Sequence, residues 1–173
     1  MRTRLLLLVA PILLAASSVS AQTQSRDPYF ATFTPSYDLI YHELGETSAF
    51  GGNFDIATTI KRDTPFLSVA AQVGVNHFDD ANVSSFLGGV RVRLPNITNN
   101  VLPFVSGFGG LYHCGICDIN DFALQGGAGV DWRAHRSSDL RIRTQLDFRH
   151  IFDDFGDFNA VRLSVGVVIP LND

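Results

Sequence analysis

Apolar and polar residues alternate with a period of two along most of this chain, most regularly at 139–150. There Arg141, Arg143, Gln145, Asp147 and Arg149 occupy one set of alternate positions, and Leu140, Ile142, Thr144, Leu146 and Phe148 the other. Such alternation marks a β-strand whose two sides meet different surroundings; it leaves open which side is inside. Strand-like runs recur at 33–42, 50–61, 66–78, 83–94, 101–113, 122–133, 140–151 and 159–171, eight in all, with turn-rich pieces between them. No comparably long segment has helical spacing. Each run is close to the roughly 9–11 residues that a tilted strand needs to cross a bilayer.

Sorting the runs by parity gives two faces. One is apolar and includes Phe33, Tyr37, Phe54, Ile56, Val73, Val75, Phe86, Val90, Leu124, Trp132, Leu146, Phe148, Leu163 and Val165. The other holds Asp38, Asp55, Lys61, Arg91, Arg93, Asp131, Arg133, Arg141, Arg143, Asp147, Arg149 and Arg162, with Asn, Gln and many Gly and Ala between them. The fifth run, 101–113, is apolar or small on both faces, so its parity is open.

The connections also sort into two kinds. Those after runs one, three, five and seven contain Glu43, Glu46, Asp79, Asp80, Asp118, Asp121, Asp153, Asp154 and Asp157 and no Lys or Arg. Those after runs two, four and six are shorter on average and basic or neutral. An up-and-down barrel sends alternate connections to the same end, so one acidic mouth and one basic or neutral mouth are expected.

The N-terminus adds a compartment. Arg2 and Arg4 precede an apolar run from Leu5 to Ala16 and a small-residue exit with Val19 and Ala21, the layout of a secretory signal peptide over residues 1–21. Its apolar run falls short of the roughly 20 residues of a spanning helix. Residues 22–173 are then a single domain. Without Arg2 and Arg4, the chain's 13 Lys+Arg against 17 Asp+Glu become 11 against 17, a balance of −6 that argues against nucleic acid as a partner. The 14 Phe and 15 Gly suit β structure with close backbone packing.

Two barrels fit eight alternating strands. A soluble lipocalin-like barrel turns its apolar face inward around a greasy ligand; an outer-membrane barrel turns that face to lipid and encloses the charges. Three features favour the membrane. The polar face mixes charge with Gly51, Gly74, Gly89, Gly127 and Gly129, which would make room in a narrow lumen. Aromatics gather toward strand ends at Tyr41, Phe50, Phe66, Phe78, Tyr112, Phe122, Trp132 and Phe148, as in interfacial girdles. Lys61 is the sole lysine, whereas a water-facing barrel surface normally carries several. The expected fold is all-β, an eight-stranded antiparallel up-and-down transmembrane barrel in which closure pairs every backbone amide.

With these features the sequence resembles the small outer-membrane barrels of the OmpA/OmpX type, the porin-like outer membrane β-barrel domain family. The likeness covers residues 22–173. It rests most on VLPFVSGFGG in the fifth run and on SVGVVIPL at 164–171, where Ser164, Gly166, Ile169 and Leu171 match the terminal signal read by the barrel-assembly machinery. The family usually ends on an aromatic residue, whereas here Leu171 is followed by Asn172 and Asp173. The resemblance implies residence in the outer membrane, contact with membrane lipids and lipopolysaccharide, a monomer, no cofactor, and a structural, adhesive or narrow porin-like role.

Three groups of residues could carry chemistry. The charged lumen face could be a hydrogen-bonded plug or a small anion-preferring pore. Cys114 and Cys117 lie in H-C-x-x-C-D, which in an oxidising compartment points to a local disulfide; a lone CxxC is a weak zinc signal. The acidic connections could hold divalent cations beside lipopolysaccharide phosphates, or be solvated loops. An enzyme that modifies lipid A is the alternative of another class. Lipid A deacylases place His and Ser two residues apart on a lipid-facing strand; His150 has the right parity, but position 152 is Phe.

Overall fold

The computed structural model describes residues 29–42, 45–61, 64–78, 82–95, 98, 100–115, 119–135, 138–153 and 157–171. The signal-peptide segment 1–21, Cys117 and the acidic Glu43, Asp79, Asp80, Asp118 and Asp154 lie outside these, as does the side chain of Lys61. The described residues form eight strands: β1 (Tyr29–His42), β2 (Gly45–Lys61), β3 (Thr64–His77), β4 (Asn82–Arg93), β5 (Val101–Cys114), β6 (Ile119–His135), β7 (Ser138–Phe152) and β8 (Phe158–Pro170).

Each strand pairs antiparallel with its sequence neighbours, and β1 pairs with β8 to close the barrel. The seam runs from Phe30 opposite Pro170 to Tyr41 opposite Asn159, and the Leu171 amide donates to the Tyr29 carbonyl at 2.9 Å. An even strand number brings both chain ends to one end of the barrel. Register shifts at Thr59/Lys61 and Arg133/His135 lie at that end too. This is the closed up-and-down barrel that the alternation predicts, with no open edge.

The strands are longer than the apolar runs. β2 begins at Gly45, so Glu46 belongs to a strand, and the four connections at the end remote from the termini have only two to five residues: 43–44, 78–81, 115–118 and 153–157. Those at the termini end are 62–63, 94–100 and 136–137. The expected difference in loop length is therefore not present. The rims of the strands stand clear of any apolar surround: Glu46, Thr47 and Ser48 are all exposed, so their outward side has no need of apolar residues.

Polarity is that of a membrane barrel. Leu146 is 55% exposed, Val165 52% and Val73 43%, while Arg143 is 0%. Phe33, Phe50, Phe86, Phe148 and Leu163 also face out. A soluble carrier with a greasy interior is overturned by this arrangement. Exposed apolar surface running round the whole barrel would be an aggregation liability in water, and in hydrocarbon it is the solvent-matched face.

The inner face is less uniformly polar than its sequence suggests. Phe30, Leu87, Phe104, Phe108, Tyr112, Ile151 and Val168 all point inward and are buried. Tyr112 and Phe78 were expected in the aromatic girdle; Tyr112 is instead an interior residue at 8% exposure, and Phe78 packs against the interior cluster. On β5 the inward set is Leu102, Phe104, Phe108 and Tyr112, which resolves the open parity of that run.

Leu146 lies near the middle of β7. Leu146→Arg should cost about 2–4 kcal/mol, as expected for a cation on the lipid face at the bilayer midplane. Urea unfolding of the protein in lipid vesicles measures this, and Phe152→Arg, at the strand end, should cost about 0–1 kcal/mol.

Candidate functional site

The lumen gathers charge from strands far apart in sequence. Arg91, Arg93, Arg141, Arg143, Arg149 and Arg162 are buried there with Asp38, Asp55, Asp131 and Asp147. Arg133 is half-buried on the same face. Carboxylates and guanidinium groups so confined must find partners among themselves, because unpaired buried charge is costly.

Two knots of ion pairs solve most of this. In the first, Arg162 on β8 forms a bidentate pair with Asp38 on β1, its register partner: Nε donates to Oδ1 at 2.8 Å and Nη2 to Oδ2 at 2.7 Å. Arg162 Nη1 also donates to Asn53 Oδ1 at 2.7 Å, and Asn76 Nδ2 donates to Asp38 Oδ2 at 3.0 Å. This knot ties β8, β1, β2 and β3 together.

In the second, Arg143 on β7 forks onto Asp131 of β6, with Nε to Oδ1 at 2.7 Å and Nη2 to Oδ2 at 2.9 Å. Its Nη1 reaches across the lumen to Thr32 of β1 at 3.3 Å and lies 3.7 Å from Asp55 Oδ2 on β2. Arg91 of β4 completes the group, donating from Nη1 to Asp55 Oδ1 at 3.3 Å. Five of the eight strands are thereby bridged through side chains. Planar guanidinium forks suit such bidentate contacts better than lysine would.

Arg149 and Asp147 lean on neutral partners. Arg149 donates from Nε and Nη2 to Gln125 Oε1 at 3.0 and 2.6 Å, and Gln125 in turn donates to Gln72. Asp147 accepts from Gln145 Nε2 at 2.7 Å. Arg91 Nε, Arg93 Nη2 and Arg149 Nη1 have no hydrogen-bond acceptor among the described residues. Each of these side chains lies by an aromatic ring: Arg91 is 5.1 Å from the Phe104 centroid, Arg93 5.3 Å from Phe30 and Arg149 5.7 Å from Tyr112. Desolvated cation–π contacts of this kind contribute about 2 kcal/mol each and stand in for missing carboxylates.

Phe30, Phe104, Phe108 and Tyr112 are interior aromatics that the period-two reading did not place inside. Glycines give them space. A Cβ on Gly129 would strike the Phe104 ring and one on Gly89 the Phe108 ring, while one on Gly127 would strike the Asp147 carboxylate. The small residues of the inner face thus make room for aromatics as well as for charge.

Hydrocarbon shares the lumen with the charges. Phe30, Ala57, Ala70 and Val168 toward the termini end and Val83, Leu87, Phe108, Tyr112, Ala123 and Ile151 toward the other form one buried apolar cluster, with Phe78 and Phe158 against it.

The other candidates separate. Cys114 ends β5 half-buried; Cys117 lies outside the described residues, and so does the pairing of the two. His150 faces outward, its ring 4.4 Å from that of Phe152 in an edge-on contact, its Nδ1 2.9 Å from Asn159 Oδ1 and its Nε2 3.5 Å from Asp157. A phenyl ring holds the place where the deacylase motif has its hydroxyl. Among the described residues no three His, Cys, Asp or Glu side chains come together as a metal site.

Comparison with known proteins gives the same architecture. Neisserial surface protein A is similar in structure with a TM-score of 0.71 at 13% identity, covering 86% of this chain and 100% of that one. The chain thus has the fold of a small eight-stranded membrane β-barrel. Weaker likenesses extend to the N-terminal β-barrel domain of Pseudomonas aeruginosa OprF, with TM-score 0.48, 14% identity and coverage of 84% and 100%. The outer membrane enzyme PagL stands at TM-score 0.48, 12% identity and coverage of 80% and 99%. No protein-family model and no curated protein sequence matches the chain.

The Asp38–Arg162 pair gives a direct test of the lumen network. Arg162→Met should cost about 3–5 kcal/mol, because it strands a buried carboxylate, and the double variant R162M/D38L should cost less than R162M alone. Equilibrium unfolding of both variants and of D38L completes the cycle.

Proposed function

We propose that this protein is a structural element of the outer membrane: a plugged, non-enzymatic barrel without an open channel. The observation that carries the reading is the filled lumen. Ion-paired arginines cross it at mid-depth, and buried Phe30, Leu87, Phe108, Tyr112, Ile151 and Val168 fill space toward both ends. A barrel of eight strands has an interior just wide enough for side chains, and here they occupy it.

In this reading the segment 1–21 directs export, the barrel-assembly machinery inserts residues 22–173, and the termini end faces the periplasm. Narrow-pore and adhesive roles have less support. Conduction would require the arginine forks and the apolar side chains packed among them to move together. Adhesion would have to work from outer connections of two to five residues. An enzymatic role on lipid A lacks the nucleophile beside His150, where Phe152 stands.

Planar-bilayer recording of the refolded protein tests this. No conductance steps are expected in about 1 M salt. Sustained steps that disappear on adding bulk to the lumen, as with Gly127→Val, would replace the plug with a pore.

A further inference from the structure

Three strands end on the same construction. His77 closes β3, with Nδ1 2.7 Å from Oδ1 of Asn82, the first residue of β4. His113, near the end of β5, stands 3.1 Å from Asn120 Oδ1 on β6. His150, near the end of β7, stands 2.9 Å from Asn159 Oδ1 on β8. In every case the two residues are direct register partners across a hairpin remote from the termini. All three imidazoles are on the outward parity, at alternate hairpins round the rim.

The pairing dictates the protonation pattern. An amide oxygen accepts only, so Nδ1 carries the hydrogen, and Nε2 is the ring atom that can gain or lose a proton. Depth is set by the neighbours: His150 packs on Phe152, which pairs with Phe122 at 6.0 Å between ring centroids, both rings exposed on the outer face. Aromatic girdles of this kind mark the boundary between acyl chains and headgroups. Charge is set by what else faces out. Every described arginine has inward parity, so these histidines are the bases that the described outer face offers at this boundary.

From this repeated geometry we infer that His77, His113 and His150 form a headgroup-level ring that binds phosphate groups of outer-leaflet lipid when protonated. The inference rests on the outer-membrane reading above. A protonated imidazole whose Nδ1–H is already held by Asn presents Nε2–H as a charge-assisted donor to phosphate oxygen.

The surroundings of the three differ in one respect. His77 has Phe50 of β2 on its other flank and His113 has Ser84 of β4, whereas His150 has Leu124 of β6. Asp157 lies 3.5 Å from His150 Nε2 and competes with phosphate there.

Solid-state NMR of the full barrel, 15N-labelled at histidine and refolded into bilayers of diphosphoryl lipid A in phosphate-free buffer, tests the inference by 15N–31P dephasing. In acidic buffer, Nε2 of His77, His113 and His150 should dephase, and in alkaline buffer the effect should be absent. His77→Gln and His113→Gln should each remove their own signal and leave the other. Absence of 31P dephasing in acidic buffer, in a sample whose unboiled protein migrates as a folded barrel, overturns the ring. A sample without that heat-modifiable migration would instead count against the membrane reading.

Discussion

Everything in this structure depends on filling a narrow closed cylinder with side chains that arginine dominates. Closing the sheet satisfies the backbone, which is what hydrocarbon demands of a spanning chain. Closure also creates an interior with scarce water, where six buried arginines meet four buried aspartates. The imbalance is absorbed in two ways. Bidentate forks onto Asp38 and Asp131 neutralise Arg162 and Arg143, and the rings of Phe30, Phe104 and Tyr112 receive guanidinium groups that carboxylates do not fully serve. Some of these contacts, Asp38–Arg162 and Arg93–Phe30 among them, run between strands remote in sequence, so the lumen works as an internal brace.

The same filling explains the functional reading. A polar lumen by itself could be a conduit. Here Arg143 touches β6, β1 and β2 at once, so a passing ion would have to displace a guanidinium from several partners together. Apolar side chains such as Phe30, Leu87, Phe108 and Ile151 fill the space around these charges. Brace and filling together make a rigid wall element. The outer connections are correspondingly short, and chemistry at that rim falls to groups borne by the strand ends themselves, such as His77 and His113.

Much of this was legible from the alternation. Strands 33–42 to 159–171 keep their parity from sequence to structure, because Arg141, Arg143, Asp147 and Arg149 differ sharply from Leu140, Ile142, Leu146 and Phe148. The fifth run could not be read that way. Its two faces, Leu102, Phe104, Phe108 and Tyr112 against Pro103, Val105 and Leu111, have nearly equal hydrophobicity. What selects the inner set is the arginines of β4 and β7, a long-range requirement with no local period. Phe30 was missed because it precedes the first alternating run. Connection lengths were misjudged for a different reason: where a strand rises beyond the apolar belt, as at Glu46, Thr47 and Ser48, water accepts polar residues on both faces and the periodic signal vanishes while the hydrogen-bonded ladder continues. The His–Asn pairs were visible as residues, but only register brings His77 to Asn82 and His150 to Asn159.

The central claim is directional: aliphatic side chains of one parity touch lipid, and the few aliphatic residues of the other parity lie inside. Intermolecular NOEs between lipid acyl chains and the methyl groups of Leu, Ile and Val, recorded on the refolded protein in lipid nanodiscs, read that direction residue by residue. Leu146, Val165 and Val73 should show acyl-chain NOEs, and Leu87, Ile151 and Val168 none. Acyl-chain NOEs at Leu87 and Val168 with silence at Leu146 and Val165 would contradict the account.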